Sequence, residues 1–135
     1  TKAILNGDPI NIYNHGDMRR DFTFIDDLTA SILALIDVVP GSVPVEGDSL
    51  SPVAPHRIVN IGNGAPVELM DFIAAIEKAC GRAAIKTFHG MQPGDVPATW
   101  ANAELLKTLT GYRPQTDFRD GIARFVEWYR GYSGK

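Results

Sequence analysis

Two stretches carry the side chains best suited to chemistry. In the first, Gly16-Asp17-Met18-Arg19-Arg20 leads through Asp21-Phe22-Thr23-Phe24-Ile25 into Asp26-Asp27. A guanidinium at a loop can fork two N–H groups onto a phosphate, so Arg20 suits an anionic ligand. The same arginine also reads as a solvated turn residue, since most arginines are exposed. In the second, Gly94-Asp95 lies in Gly90-Met91-Gln92-Pro93-Gly94-Asp95-Val96-Pro97, a loop whose prolines and glycines permit nothing regular. A carboxylate on such a loop can accept sugar hydroxyls. Guanidinium on diphosphate and carboxylate on hydroxyls would together suit a nucleotide sugar, if the fold brings the two loops together.

Other candidates have structural readings. Asp26, Asp27 and Glu68 suit helix starts, and Asp95 also reads as a loop cap. Gly62-Asn63-Gly64 stands where a phosphate turn would, but Met70 occupies the place of a third glycine, so a simple tight turn is expected. No serine sits in a nucleophile elbow, and His15, His56 and His89 lack metal-ligand spacing. No catalytic residue, cofactor-binding residue or metal is therefore assigned. The single cysteine, Cys80, excludes an internal disulfide and falls at an apolar helical position.

A length of 135 residues suits one domain with a real core. A net charge of −3 without a basic stripe argues against a nucleic-acid partner. No apolar run is long enough to span a bilayer, and no membrane association is expected. With no signal peptide visible, a cytoplasmic protein is expected. The chain starts inside what reads as a helix, residues 1–5 stopped by Asn6-Gly7, which suggests a fragment.

These residues need a scaffold. Residues 10–13 and 21–25 alternate as short strands, with antiparallel pairing between them expected. A helix over 26–38 would place Leu28, Ile32, Leu35 and Ile36 on a buried face. Residues 40–55 hold four of the nine prolines and read as a flexible loop. Residues 57–61 read as a strand covered on both faces, as in a parallel sheet. A helix carrying Leu69, Phe72, Ile73, Ile76 and Cys80 follows, ended by Gly81, and would cross over to a parallel strand at 84–88. Asn102 caps a short helix ended by Gly111. Thr116 or Asp117 caps a last helix with Phe118, Ile122, Phe125, Val126 and Tyr129 on its face, and the tail from Gly131 is expected to fray. The class is α/β, or α+β for the stretch by itself.

Five ordered segments carry a resemblance. They are Arg20-Asp21-Phe22-Thr23-Phe24-Ile25-Asp26-Asp27, Val59-Asn60-Ile61-Gly62-Asn63, Val67-Glu68-Leu69, Met91-Gln92-Pro93-Gly94-Asp95-Val96-Pro97-Ala98-Thr99 and Thr110-Gly111-Tyr112-Arg113-Pro114. In that order they resemble the extended short-chain dehydrogenase/reductases, the NAD-dependent nucleotide-sugar epimerases and dehydratases. The Gln-Pro-Gly-Asp-Val-Pro form looks most like the UDP-glucuronate 4-epimerase branch. The resemblance implies that residues 1–135 are the C-terminal substrate-binding part, with edge strands of a Rossmann sheet, and that the N-terminal NAD-binding domain is absent.

It further implies a UDP-sugar partner, with Arg20 on the diphosphate, Tyr13 beside the uracil and Asp95 near the ribose. Gln92 stands where many sugar epimerases carry a second arginine for the diphosphate. In the family, bound NAD takes hydride from sugar C4 and returns it to the other face, with a Tyr-x-x-x-Lys pair supplying the base. No Tyr-x-x-x-Lys occurs here, so the stretch alone is expected to be non-catalytic, to hold no NAD, and to bind a UDP-sugar weakly or undetectably. A homodimer is implied for the parent, through contacts outside this stretch. The alternatives are a dehydratase or decarboxylase of the same fold, and a non-catalytic binding or interaction module.

Overall fold

In the computed structural model, which describes residues 1–41 and 45–134, the chain forms two units interleaved in sequence. Unit 1 comprises Thr1–Arg20, Pro66–Thr99 and Asp117–Lys135; unit 2 comprises Asp21–Ala65 and Trp100–Thr116.

Unit 1 begins with α1 (Lys2–Asn6), which Gly7 ends in the left-handed region at φ 82°. That conformation lets the Gly7 N–H reach the Ala3 and Ile4 carbonyls, and a Cβ there would meet the Arg82 guanidinium at 2.2 Å. Strand β1 (Pro9–Ile12) pairs in parallel with β4 (Ile85–Phe88), in the register Ile10↔Lys86 and Ile12↔Phe88. The connection runs through α3 (Leu69–Cys80), ended by Gly81 as expected. The antiparallel partner expected for β1 does not form. Residues 21–24 are irregular, and they follow the short strand β2 (Arg19–Arg20). It lies between β3 (Val67–Glu68), antiparallel, and β5 (Ala98–Thr99), parallel.

Ile4, Cys80, Ile122 and Val126 form the buried centre of unit 1, with Phe72, Ile76 and Phe118 packed against it. Each such side chain contributes about 1.5–3 kcal/mol by leaving water. Helix α5 (Phe118–Ser133) starts at an Asp117 cap, whose carboxylate accepts from the Arg119 N–H at 2.8 Å. It runs to Ser133 instead of fraying from Gly131, and Arg130 reaches the Cys80 carbonyl at 2.8 Å. Phe125 is on the surface rather than in the core, in a strip of exposed or half-buried rings with Trp128, Tyr129 and Tyr132.

Unit 2 holds α2 (Ile25–Ile36) and α4 (Glu104–Thr110), with Leu106, Ser31 and Pro114 fully buried. The apolar face expected for α2 is buried only in part, with Leu28 and Leu35 half-buried. Asp27 and Ser31 face inward, while Ile32, Leu33 and Ile36 are 50%, 59% and 67% exposed. The Ser31 hydroxyl is satisfied locally, donating to the Asp27 carbonyl at 2.7 Å. Residues 57–61, expected as a strand covered on both faces, are irregular, and Ile58 is exposed. A strand needs a neighbour to bond with, and among the described residues none lies alongside.

Residues 42–44 of the expected flexible loop lie outside the described residues. From 45 to 58 the chain is drawn together. Arg57 donates twice to Asp48, at 2.7 and 2.8 Å, with both side chains buried, and Ser49 bonds both backbone groups of Ile58. The Arg57 hydrogen bonds hold the Asp48 carboxyl below its ordinary range.

Candidate functional site

All four residues singled out for ligand binding, Tyr13, Arg20, Gln92 and Asp95, fall in unit 1. They are organised by one loop, residues 89–97. Its near root lies at the end of the β1–β4 ladder: the His89 N–H donates to the Ile12 carbonyl at 2.8 Å, and the His89 carbonyl accepts from His15 N–H at 3.0 Å. Tyr13 follows β1 directly, and its ring lies 5.4 Å from that of His89. The loop's far root is at β2. There the Pro97 carbonyl accepts from the Arg19 N–H at 2.8 Å and from Arg20 Nη1 at 3.2 Å.

Between the roots, Gln92-Pro93-Gly94-Asp95 turns sharply. The Asp95 N–H donates to the Gln92 carbonyl at 3.2 Å, and Gly94 has φ 89°. Proline second and a left-handed glycine third are what a type II turn requires. Gln92 and Asp95 are thereby the two ends of one turn, with Gln92 exposed and Asp95 half-buried.

The two adjacent arginines differ in kind. Arg19 Nε lies 2.6 Å from the carboxylate of its register partner Glu68. Arg20 Nη1 is held by two neutral carbonyls, of Arg19 at 2.7 Å and of Pro97, and no carboxylate lies within ion-pair distance among the described residues. Arg20 is therefore a pre-oriented cation whose charge has no carboxylate partner, half-buried at the root of the loop that carries Asp95. Such a group favours a bidentate anion.

The Gly62-Asn63-Gly64 turn in unit 2 is already occupied by the protein. The Gly64 N–H donates to Asp21 Oδ2 at 2.9 Å, and the same oxygen accepts from Ala101 N–H at 3.2 Å. A carboxylate where a dinucleotide pyrophosphate would come makes this turn a poor fit for NAD. The segment bends at Gly64, where φ is 69°, and no regular turn is formed.

Asp26 and Asp27 lie in the first turn of α2, as the sequence predicts, and the Asp27 carboxylate has further partners beyond that turn. Asp27 accepts from the Tyr112 hydroxyl at 2.7 Å, Thr116 N–H at 2.9 Å and Gln115 N–H at 3.3 Å. Burial alone pushes its carboxyl up, but the hydrogen bonds from Thr116, Tyr112 and Gln115 together outweigh burial and hold it below 3.8. The same bond, with burial and the nearby Asp27 and Asp26 charges, pushes the Tyr112 hydroxyl up to about 12. Asp21 was not singled out by sequence, and neither was His89. The placement of Asp27 four residues before Ser31 is the one signal for a polar inward stripe on α2. For His89 the signal would have been the parallel pairing of β4 with β1.

No known protein-family profile matches the chain. It is 52% identical over 132 residues to a probable UDP-glucuronate 4-epimerase of Rhizobium meliloti, covering 94% of this chain and 39% of that protein. It is 40% identical to UDP-glucuronate 4-epimerase 4 of Arabidopsis thaliana, covering 98% and 31%. Among solved structures it superposes on the UDP-glucuronic acid 4-epimerase of Bacillus cereus in complex with UDP-glucuronic acid and NAD. The TM-score is 0.73 at 27% identity, over 95% of this chain and 38% of that one. The chain thus spans about two-fifths of the length of the first curated relatives it matches, and the matched stretch is the C-terminal part of the solved epimerases.

Proposed function

We propose that this chain, related over nearly its whole length to the C-terminal part of the NAD-dependent epimerases among the extended short-chain dehydrogenase/reductases, supplies the nucleotide side of a UDP-sugar site. The observation that carries the reading is the state of Arg20, held by the carbonyls of Arg19 and Pro97 while Arg19 is neutralised by Glu68. In this reading the Arg20 guanidinium grips the diphosphate and Gln92 donates its amide to the same group. Asp95, at the other end of the Gln92 turn, accepts ribose hydroxyls, and Tyr13 covers the uracil.

UDP-glucuronate is the substrate that the named relatives support best, with inversion at C4 as the outcome. When bound to a protein of this family, NAD supplies the transient hydride acceptor. None of the four residues here is placed as a base, and the glycine turn at 62–64 does not fit the cofactor. The contribution of these residues is binding and orientation, which fixes the face that the sugar presents.

The test uses the longest reading frame containing these residues, expressed and incubated with UDP-glucuronate and NAD, with product sugars identified. A C4-inverted uronate supports the epimerase reading. Carbon dioxide with a pentose product assigns a decarboxylase of the same fold, and no turnover of any UDP-sugar refutes the enzyme reading.

A further inference from the structure

We infer that His89 is a positioning residue for the nucleobase end of the site, holding the Tyr13 ring ready to stack on a pyrimidine. This rests on the nucleotide-sugar reading of Tyr13 above. Three observations converge on it. The rings of Tyr13 and His89 lie 5.4 Å apart, tilted by 31°, a distance at which aromatic pairs attract. In this inference His89 supports the Tyr13 ring from one side and a base stacks on the ring's free face.

The His89 ring is itself fixed. Its Nε2 lies 3.1 Å from the side-chain Oδ1 of Asn11, within hydrogen-bond distance. Asn11 stands on β1 and Tyr13 directly follows that strand, so the stacking ring and the pin for its support are two residues apart on one short stretch of backbone.

The backbone around the pair is also over-determined. Asn14 and His15, directly after Tyr13, have φ of 48° and 50°, a region that non-glycine residues rarely adopt. They are kept there by the His15 N–H bond to the His89 carbonyl and by Asn14 Nδ2 donating to the Asp17 carbonyl at 2.7 Å. Strain maintained at consecutive residues beside a half-buried tyrosine and an exposed histidine is the pattern of a ligand clamp rather than of a free turn. The chemical class is a planar pyrimidine nucleoside, recognised by its π face.

The experiment titrates the isotope-labelled 135-residue chain with uridine and, separately, with inorganic pyrophosphate, read by NMR. Uridine is expected to shift the Tyr13 and His89 ring signals, and pyrophosphate the Arg20 Nε–H. In His89→Ala uridine binding weakens roughly tenfold, the scale of one lost aromatic support. His89→Phe, which keeps a ring but no nitrogen, restores most of it. Pyrophosphate binding is unchanged in both variants. Unaltered uridine binding in His89→Ala, or no recovery in His89→Phe, overturns the inference while leaving the Arg20 reading intact. A uridine response that depends on His89 with no pyrophosphate response at Arg20 supports the inference and overturns the diphosphate assignment. No response to either probe overturns both. Amide fingerprint spectra establish that each variant is folded, and the His89→Phe arm decides the matter if His89→Ala is not.

Discussion

Removing the Tyr112 hydroxyl tests whether Asp27, besides opening α2, is the clamp of unit 2. The Tyr112→Phe change deletes one hydrogen bond, 2.7 Å long, to a carboxylate that is 8% exposed. A hydrogen bond to a charged acceptor contributes about 1.5–3 kcal/mol. Asp27→Ala deletes that bond and the two from Gln115 and Thr116 N–H. Gln115 is exposed, so water recovers part of the loss, and the expected total is about 3–5 kcal/mol. The two changes share one bond, so Tyr112→Phe made on top of Asp27→Ala is expected to cost less than about 0.5 kcal/mol.

Urea denaturation followed by circular dichroism, over the four proteins of the cycle, gives the coupling directly. A coupling of about 1–2.5 kcal/mol is expected; single losses that add within about 0.3 kcal/mol would refute the clamp. The pH dependence supplies an internal check. Asp27 titrates lower folded than unfolded, so its contribution is present above about pH 3.9 and is lost as pH falls through the folded value. Tyr112 titrates higher folded than unfolded. Its contribution is complete below about pH 10. That contribution disappears as pH rises through about 12. Tyr112→Phe should therefore flatten the alkaline limb, and Asp27→Ala should flatten both limbs.

Two further outcomes follow from packing. A Cβ at Gly62 would stand 2.5 Å from the Ala101 Cβ and 2.8 Å from Asp21 Oδ2. Gly62→Ala is expected to cost about 1–3 kcal/mol in the same urea assay, because neither neighbour can retreat without losing its own contacts. The exposed Ile32, Leu33, Ile36 and Ile58 of unit 2 should make the chain self-associate, seen as a weight-average mass that rises with concentration in sedimentation equilibrium. Ile36→Glu should lower that mass; an unchanged monomer across both proteins would show that the surface is inert.

The helices were legible where composition punctuates them. Gly7, Gly81 and Gly111 end α1, α3 and α4 in the left-handed region, and Asp117 caps α5, all as the sequence predicts. Pairing was not legible. The alternation of residues 21–25 predicts a strand, yet that segment is irregular and its Asp21 side chain binds backbone amides of Gly64 and Ala101. The partner of β1 is β4, some seventy residues away, and local pattern carries no information on such a choice. The apolar run of α2 and that of residues 57–61 predict burial, but burial depends on what lies opposite, and on α2 the buried residues are Asp27 and Ser31.

Of the candidate site, Arg20 and Asp95 stand out by residue type and loop position, Gln92 and Tyr13 only through the family resemblance, and their tie to one loop comes from the structure. His89 carries no motif. Its place follows only from the β1–β4 ladder, so a reading of residues in order could not reach it.

The most direct measurement is calorimetric titration of UDP-glucuronate into this chain and its Arg19→Ala and Arg20→Ala variants. Arg20 is the cation without a carboxylate partner, so Arg20→Ala should weaken an already weak binding about tenfold or more, the loss of one charge-assisted contact. Arg19 is spent on Glu68, and Arg19→Ala should change the affinity by less than about threefold. Equal affinities for the Arg20→Ala and unaltered chains, or a larger loss from Arg19→Ala, would contradict the account.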